Sequence, residues 1–298
     1  MLNTMPQETV VLSDFTCLDP AATLDCGQAF RWRATPDGWR GVSFGKSLTV
    51  SRTGGTVVFK GTTREDFERI WRDYFDLARD YDGLCRRFSS DPYLSRAAAM
   101  YPGLRVLRQE PWEALCSFII SQNNNIPRIK GIIERFCGLF GERLSDGCFA
   151  FPSAERIALL SPEDLVPIRA GFRAKYIVDA ARKVSFGAVS LENIPRLSLD
   201  EARAELMKIS GVGPKVAECA LLYGFGRTEA FPVDVWVRRV MEEMYPHGLP
   251  ECIRGVEGIA QQYLFHYIRM RDKTNSADDR LGRPQKELYQ ISVSVSDP

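Results

Sequence analysis

Short runs rich in aromatic and β-branched residues fill much of the first third of the chain. Between Cys26 and Lys60 these runs read FRWRA, WRGVSF, SLTVSR and TVVFK. The segments PDG, GK and TGG separate them, and such residues favour tight turns between strands. The pattern therefore predicts four antiparallel strands joined by hairpin turns.

A helix is predicted directly after these strands. Thr63 and Asp66 are suited to cap its amino-terminal end. Apolar residues then recur at the spacing of one helix face. They are Phe67, Ile70, Trp71, Tyr74 and Phe75. We expect this helix to pack on the sheet.

The spacing of apolar residues becomes helical from about Pro102 onward. Proline or serine begins several of these segments, as is typical of helix starts. The segments read PWEALCSFIISQ, PRIKGIIERFCGLF, SPEDLVPI, AKYIVDAARKVSF, SLDEARAELMKI, PKVAECALLYGF, VDVWVRRVMEEMY and VEGIAQQYLFHYIRM. The residues from Asp272 onward are polar with weak periodicity, and they predict a tail. The predicted fold class is α+β, with an antiparallel sheet domain over residues 1–100 and a helical domain over residues 101–298.

Composition and charge narrow the class of protein. The 298 residues are 45% hydrophobic and 26% charged, which is typical of a folded globular chain and excludes disorder. Lys and Arg number 39 against 38 Asp and Glu, so bulk charge does not indicate a nucleic-acid partner. Apolar runs stay short of the roughly 20 residues that a membrane span needs. The first ten residues lack the features of a signal peptide. We therefore expect an intracellular protein.

Cysteine and histidine usage limits the chemistry further. The eight cysteines include no C-x-x-C pair, so we expect buried free thiols rather than a disulfide framework. Only two histidines are present, which makes a zinc site or histidine acid–base catalysis improbable. A reaction would have to use carboxylates, amines or thiols.

A turn between two predicted helices is the first candidate for function. Ser198 and Glu201 form a capping box for the first helix. The second helix begins at Pro214, after the turn residues Gly211, Val212 and Gly213. Glycines permit a tight turn, and the free N–H groups of a helix start can bind a phosphate. An ordinary packed corner between two helices fits the spacing equally well.

The hairpin and several other segments resemble the motifs of a known protein family. ISGVGPKVAECA resembles the helix-hairpin-helix of DNA base-excision glycosylases, and FPVDVWVRRV resembles the segment that carries their aspartate. CGQAFRW at 26–32, SFIISQNNNIPRIKGIIERFC at 117–137 and GIAQQYLF at 258–265 narrow the match. Together they resemble the 8-oxoguanine DNA glycosylase/AP lyase family from roughly Asp25 to Met270.

The resemblance implies a fold, a partner and a location. The amino-terminal sheet domain would be TBP-like, and the helical domain would contain the helix-hairpin-helix. The partner would be double-stranded DNA containing 8-oxoguanine, and the protein would act as a monomer located with the DNA, in a nucleoid or a nucleus. No cofactor is expected, although the hairpin carbonyls of this family can hold a monovalent cation. The iron–sulfur branch of the superfamily needs four closely spaced cysteines, and only Cys252 lies near the carboxyl end.

Two residues are implied as catalytic. Lys215 would attack C1′ of the damaged nucleotide and form a Schiff base that permits β-elimination. A helix start disfavours a cation, which favours the neutral amine that attack requires. Asp234 would stabilise the positive charge that develops on the sugar as the base leaves. Without the resemblance, Lys215 reads as a surface lysine and Asp234 as an ordinary helix cap.

Four residues are implied as the pocket for the damaged base, which must leave the stack before C1′ can be reached. Cys219 and Phe265 would sandwich the base, and Gln261 would bond its Watson–Crick edge. The carbonyl of Gly27 would accept the N7–H that 8-oxoguanine has and guanine lacks. From spacing alone, Cys219 and Phe265 would be core residues.

The cytosine left in the duplex needs partners as well. The resemblance assigns Asn123, Arg128 and Arg173 to it, with Phe172 next to them as a DNA contact. The amide and guanidinium groups suit the donor and acceptor edge of an exposed base. A polar loop is the other interpretation of the Asn run. Five basic residues between 169 and 183, against Asp179 alone, could face phosphates, although such a run is more often a solvated surface.

Three residues depart from the family pattern. Trp236, Phe172 and Ile268 stand where animal members carry His, Tyr and Asp. The departures put in doubt the proton chemistry of the pocket and the strictness toward cytosine, and they leave Lys215 and Asp234 untouched.

Two other functions remain open. A monofunctional glycosylase for alkylated bases shares the sheet domain and the hairpin but uses water as nucleophile and lacks a lysine at position 215. A non-catalytic DNA-binding protein would use the hairpin only for contacts with the DNA backbone. The sequence favours the lyase because of Lys215.

Overall fold

The computed structural model describes residues 8–280, with side chains described through residue 272. A five-stranded antiparallel sheet forms the amino-terminal part, in the order β1-β5-β4-β3-β2. The strands are β1 (Thr9–Leu12), β2 (Arg33–Thr35), β3 (Gly38–Ser43), β4 (Lys46–Thr53) and β5 (Thr56–Lys60). Helices make up most of the rest, which confirms the predicted α+β class.

The strand prediction was correct for four strands and missed one. β1 is only four residues long, and it joins the sheet by pairing Thr9 with Lys60, across about fifty residues of chain. A local pattern cannot reveal such a pairing. The run FRWRA predicts a strand that starts at Phe30, but β2 begins only at Arg33.

The helices complete the architecture. They are α1 (Pro20–Leu24), α2 (Arg64–Asp66), α3 (Arg72–Tyr74), α4 (Tyr81–Phe88), α5 (Pro92–Met100), α6 (Pro111–Ser121), α7 (Ile126–Phe140), α8 (Ala154–Ala158), α9 (Ala174–Ser185), α10 (Leu199–Met207), α11 (Pro214–Phe225), α12 (Val235–Met244) and α13 (Glu257–Arg280). A π-helical segment, Phe67–Trp71, connects α2 with α3.

Two helix predictions were wrong. The segment SPEDLVPI forms turns and a short 3₁₀ helix at Val166–Ile168, because Pro167 cannot continue an α-helix. The predicted cap is present, since the Ser161 hydroxyl oxygen accepts from the Asp164 N–H at 3.4 Å and the Asp164 carboxylate accepts from the Ser161 N–H at 2.8 Å. The tail predicted from Asp272 is helical through Arg280, as part of α13. Residues 281–298 of that prediction lie outside the described range.

An aromatic cluster holds the sheet to its helix. Trp32 is fully buried, and its Nε1 donates to the Tyr74 hydroxyl at 2.7 Å. Trp71 and Phe75 pack edge-on against the same indole. A side chain on Gly41 would come within 2.3 Å of the Trp32 ring, so only glycine lets the ring lie flat on β3.

The helical part is organised around α6 and α11. Both helices are buried along nearly their whole length, from Trp112 to Ile120 and from Val216 to Gly224. They approach closely at Gly224, where an added Cβ would lie 3.1 Å from the Ala114 side chain. Burial on all sides is expected for helices at the centre of a bundle, and the buried carboxyls Glu113 and Glu218 are exceptions to their mainly apolar character.

The segment that precedes α6 joins the two hydrophobic cores. Leu107 packs in the sheet-side cluster, whereas Leu104 and Val106 pack in the helical one. Arg105 is 2% exposed and donates to the carbonyls of Cys17 and Asp76 at 2.6 and 2.5 Å. The predicted boundary near residue 100 stays a prediction.

The described part of the chain contains neither a membrane-spanning helix nor a disulfide bond. Among residues 8–280, no helix combines the length and the apolar character that crossing a membrane requires. All eight cysteines are free thiols, and four of them are buried: Cys26, Cys116, Cys137 and Cys219.

A buried ion pair ties the sheet part to α6. Arg31 donates to Glu113 at 3.1 Å, and both side chains are less than 10% exposed. Burial nevertheless raises the pKa of the Glu113 carboxyl to about 7, against the attraction of the Arg31 guanidinium. A carboxyl in an unfolded chain titrates near pH 4.3. Between these two pKa values the folded chain holds more protons than the unfolded chain, so the free energy of unfolding falls as pH rises.

We expect Glu113→Gln to remove this pH dependence, because the amide cannot ionise but still accepts a hydrogen bond from Arg31. The free energy of unfolding of the variant, relative to the original chain, should rise by about 2 to 3 kcal/mol between pH 5 and pH 8. Denaturant unfolding at several pH values measures it, with the exposed Glu163→Gln as control. A difference that stays constant over this range would show that Glu113 does not titrate there.

Candidate active site

The hairpin between α10 and α11 is docked on α9. Its capping box is present, with Ser198 and Glu201 bonding each other's backbone N–H groups. The Ser210 N–H donates to the Asp179 carboxylate at 2.7 Å. Gly211 has a φ of +79°, and an added Cβ would lie 2.4 Å from the ring of Tyr176. The hairpin therefore needs glycine at position 211 for both conformation and space.

The other hairpin glycine faces open space. Gly213 has ordinary extended backbone, and an added Cβ would meet nothing within 4 Å. No side chain caps the helix that starts after it, and Pro214 occupies the first position. The first N–H groups of α11 are consequently available at the surface. Val212, between the glycines, is buried and contributes packing rather than contacts with a ligand.

Lys215 lies in the first turn of α11 and is half-buried. Its Nζ is 3.4 Å from the Ser121 hydroxyl and 5.4 Å from the centre of the Phe118 ring. Both neighbours belong to α6. A lysine in this position is held by an aromatic face and a hydroxyl, and it is not a solvated surface lysine.

Asp234 caps the amino-terminal end of α12. Its Oδ1 accepts hydrogen bonds from the N–H groups of Trp236 and Val237, both at 2.9 Å. Both bonds use the same oxygen, which leaves Oδ2 free to face another group. The capping role therefore fixes the carboxylate and is compatible with chemistry at its second oxygen.

A small cavity of about 40 Å³ lies where α6, α11, α12 and α13 meet Gly27. All six residues that the sequence predicted as catalytic or base-binding line it. They are Gly27, Lys215, Cys219, Asp234, Gln261 and Phe265. The roles predicted for them stay predictions.

Sequence reasoning missed four further lining residues. They are Phe118, Tyr223, Pro232 and Gln262. The rings of Phe118 and Tyr223 stack 5.1 Å apart, and the Tyr223 hydroxyl donates to Gln262 at 2.5 Å. Helical spacing could have indicated Tyr223, which lies four residues after Cys219 on the same face of α11.

Among the described residues, two buried polar atoms of the cavity wall lack a hydrogen-bond partner, Gln261 Oε1 and Gln262 Nε2. Gln261 is 4% exposed, and its Oε1 has no hydrogen-bond partner among the described residues. A buried acceptor left unpaired costs free energy, so such an atom in a cavity wall indicates a donor on a bound molecule.

The thiols near the cavity are neutral. Burial raises the pKa of Cys219 to about 11, although the nearby Lys215 amine acts in the opposite direction. Burial also raises the pKa of Cys26 to about 11. At neutral pH, Cys219 is therefore a polarisable apolar surface and not a nucleophile.

A buried amide fixes the turn that carries Gly27. Gln28 is fully buried, and its Nε2 donates to the carbonyls of Thr23 and Arg105 at 2.8 and 2.7 Å. Its Oε1 accepts from the Leu107 N–H at 2.8 Å. Gly27 itself has a φ of +93°, and Ile126 would lie 3.1 Å from an added Cβ. The backbone of Gly27 is thus rigidly placed at the cavity wall.

The residues predicted to contact the opposite strand lie outside this cavity. Asn123 is exposed and adopts a φ of +47°, which asparagine tolerates better than most residues. Arg128 is exposed in the first turn of α7, where Asn125 caps the helix. Phe172 is 52% exposed. The structure brings these side chains to one loop region without joining them to the cavity.

Arg173 was predicted to contact the opposite cytosine, but its side chain is buried in this structure. It is 2% exposed, and its guanidinium donates to the carbonyls of Gln122, Asn123 and Ala170. Phe172 stacks on it at 4.3 Å. Burial lowers the pKa of Arg173, and the charge of Arg128 acts in the same direction. In this structure Arg173 holds the loop that presents Asn123.

The basic run over residues 169–183 is only partly available to a ligand. Arg182 donates to the carbonyls of Ala158 and Leu160, and Lys183 pairs with Asp179. Arg169 and Lys175 are exposed. Together with Arg173, three of the five basic residues of this run are therefore engaged within the protein.

The described part of the chain contains no cluster of side chains suited to bind a metal ion. Among residues 8–280, no three His, Cys, Asp or Glu side chains are arranged to hold a metal ion. The monovalent cation expected at the hairpin carbonyls stays a prediction.

Two family models and several known proteins match this chain. The model of the 8-oxoguanine DNA glycosylase N-terminal domain matches residues 10–115. The model of the HhH-GPD superfamily of base excision DNA repair proteins matches residues 116–250. A probable N-glycosylase/DNA lyase of Methanothermobacter thermautotrophicus is 34% identical over 241 residues, which cover 70% of this chain and 75% of that protein.

Two solved structures are similar over nearly their whole length. The 8-oxoguanine glycosylase/lyase of Clostridium acetobutylicum, in complex with DNA containing cytosine opposite 8-oxoguanine, is 36% identical with a TM-score of 0.83. The match covers 91% of this chain and 99% of that one. MBOgg1, in complex with a low-affinity DNA ligand, is 38% identical with a TM-score of 0.84, over 90% of this chain and 100% of that one.

The two hairpin glycines should respond differently to substitution. Gly211→Ala places a side chain at positive φ and against Tyr176, so we expect it to lower the free energy of unfolding by about 2 kcal/mol or more. Gly213→Ala has ordinary backbone and open space, and it should change stability by less than about 0.5 kcal/mol. Denaturant unfolding of both variants measures this. Equal losses would mean that the hairpin is not docked as described.

Proposed function

The chain belongs to the 8-oxoguanine DNA glycosylase/lyase family, and from this we propose that it excises 8-oxoguanine opposite cytosine through a covalent intermediate on Lys215. It is an enzyme of the bifunctional N-glycosylase/DNA lyase type, related to DNA repair proteins that contain a helix-hairpin-helix. Our proposal concerns three features of this enzyme. They are the base opposite the lesion, the Schiff-base mechanism and the roles of individual residues.

One observation carries the proposal. The Lys215 amine, the Asp234 carboxylate and the unpartnered Oε1 of Gln261 line the same small cavity. Cleavage of a flipped purine nucleotide requires three groups: a nucleophile, a fixed negative charge and an unpaired hydrogen-bond acceptor for the base.

Recognition begins with the flipped base. Cys219 and Phe265 present apolar faces to its two sides, and the Gln261 Oε1 accepts from the N–H groups of its Watson–Crick edge. The Gly27 carbonyl accepts the N7–H of 8-oxoguanine. In guanine the same carbonyl faces a lone pair, and such a mismatch of a buried polar group is worth about 1 to 3 kcal/mol. The rigidity that Gln28 gives this turn maintains the difference.

The chemical step joins Nζ to C1′. The neutral amine of Lys215 attacks C1′ while the bond from C1′ to N9 breaks, and the base leaves with that electron pair and takes up a proton. The attached amine loses one proton, its lone pair then opens the C1′–O4′ bond, and O4′ takes up a proton. An iminium links Nζ to C1′, and loss of a C2′ proton expels the 3′ phosphate. Asp234 stabilises the positive charge on the sugar.

The opposite cytosine is assigned to the loop region outside the cavity. Asn123 and Arg128 are exposed and can bond the base directly. Arg173 has to exchange one of its bonds to a loop carbonyl before it can do so. Phe172 is exposed beside them and can contact the unstacked step of the duplex.

The DNA backbone is assigned to the hairpin. The N–H groups of Gly211 and Gly213 and of the first turn of α11 suit a phosphate, whereas the Val212 N–H donates to the Ile209 carbonyl at 3.0 Å. We propose double-stranded DNA as the partner of a monomer located with the genome.

Replacing the nucleophile tests the covalent step. We expect borohydride to trap the original chain on a duplex with 8-oxoguanine opposite cytosine, and Lys215→Gln to abolish trapping and strand nicking. Lys208→Gln, at an exposed lysine paired with Glu205, is the control and should trap normally. Gel analysis of the products measures both reactions. Trapping that persists in Lys215→Gln would assign the amine elsewhere.

Two other results would favour the alternative functions. Base release by the original chain without nicking of the abasic product indicates a monofunctional glycosylase. Binding of lesion DNA without base release indicates a DNA-binding protein that lacks catalysis.

A panel of opposite bases tests the assignment of Asn123. We expect single-turnover excision of 8-oxoguanine to be fastest opposite cytosine, and Asn123→Ala to reduce the preference for cytosine about tenfold, as the loss of one or two hydrogen bonds predicts. Asn193→Ala, on a different exposed turn, should leave the preference unchanged. An equal preference in Asn123→Ala and in the original chain would remove Asn123 from this role.

A further inference from the structure

The loop between α11 and α12 connects the two proposed catalytic groups. It begins at Gly226, after the helix that carries Lys215, and it ends at Asp234. Its first half is held by backbone bonds, such as Arg227 N–H to Leu221 and Ala230 N–H to Arg227. The second half of the loop determines the position of Asp234, so it has to be held in place by contacts with neighbouring side chains.

Glu218 supplies that restraint from α11. Its Oε2 accepts a hydrogen bond from the Phe231 N–H at 2.7 Å. Glu218 lies three residues after Lys215, and Phe231 lies three residues before Asp234. One carboxylate thus bridges the helix of the amine and the segment of the carboxylate, close to both.

The same carboxylate is itself fixed in place. Its Oε1 accepts from Arg203 Nε at 2.5 Å, and Arg203 also pairs with Asp200. The Glu218 side chain is 10% exposed. A charged, nearly buried acceptor that is bonded on both oxygens has little freedom, because moving it would leave a donor unpaired.

We propose that Glu218 is a positioning residue that sets the location of Asp234 relative to Lys215. It contacts neither the sugar nor the base, and it acts through the Phe231 N–H and the following Pro232 and Val233. This inference rests on the proposed function of the two catalytic groups. Small displacements of catalytic groups have large kinetic effects, since an error of about 1 Å can cost about 100-fold in rate.

Three variants separate positioning from other roles. Glu218→Ala removes the acceptor and leaves Phe231 N–H unpaired. Glu218→Gln keeps an oxygen that can accept from Phe231 N–H but loses the charge that faces Arg203. Arg203→Met removes the ion pair and leaves the Glu218 carboxylate intact.

Single-turnover excision and lesion binding are measured for each variant on the same 8-oxoguanine·cytosine duplex. We expect Glu218→Ala to slow excision about 30- to 100-fold while the Kd changes less than about threefold. Glu218→Gln and Arg203→Met should stay within about fivefold of the original rate. Excision by Glu218→Ala at the original rate, or a rate in Glu218→Gln as low as in Glu218→Ala, would overturn the proposal.

Hydrogen–deuterium exchange tests the contact without any activity. The Phe231 amide should exchange faster in Glu218→Ala than in the original chain, and protection should return in Glu218→Gln. Unchanged exchange would overturn the proposal. Failure of the original chain to excise 8-oxoguanine would refute the proposed function alone, because the exchange result is independent of it. If Glu218→Ala does not fold, Glu218→Asp, which is too short to reach both partners, replaces it in both measurements.

Discussion

The burial of α11 against α6 is the interaction on which the site depends. α11 is buried from Val216 to Gly224, so its packing fixes its axis and rotation. Only its first turn emerges from the core, and that turn carries Lys215. The neighbours of the amine, Ser121 and Phe118, come from α6 itself. The same packing that stabilises the domain therefore aims the amine at the cavity.

Charged residues in the interior connect the parts that apolar packing leaves separate. Arg31 and Glu113 join the sheet part to α6, Arg105 holds the carbonyls of two loops, and Glu218 joins α11 to a loop. A buried ion pair contributes little net stability because desolvation opposes it. Its hydrogen bonds are directional, however, and directional contacts decide how elements are placed.

Local patterns in the sequence predicted much of the fold, whereas the residues of the cavity were implied by the family resemblance. Turn residues between aromatic runs revealed four strands, and helical spacing placed Cys219 on the face of Lys215. β1 escaped prediction because its partner lies about fifty residues away, and Tyr223 escaped because its role depends on stacking with Phe118 from another helix. The buried position of Arg173 also depends on a distant loop, Gln122–Asn123. Motifs reveal which residue types are present, whereas contacts across elements decide which way they point.

The protonated state of Cys219 has a consequence for an enzyme that works on oxidised DNA. The oxidants that create such lesions attack thiolates far faster than thiols. With a pKa of about 11 and 3% exposure, the Cys219 sulfur in the cavity wall is almost entirely a thiol at neutral pH. Repair capacity would then persist under the very stress that raises the number of lesions.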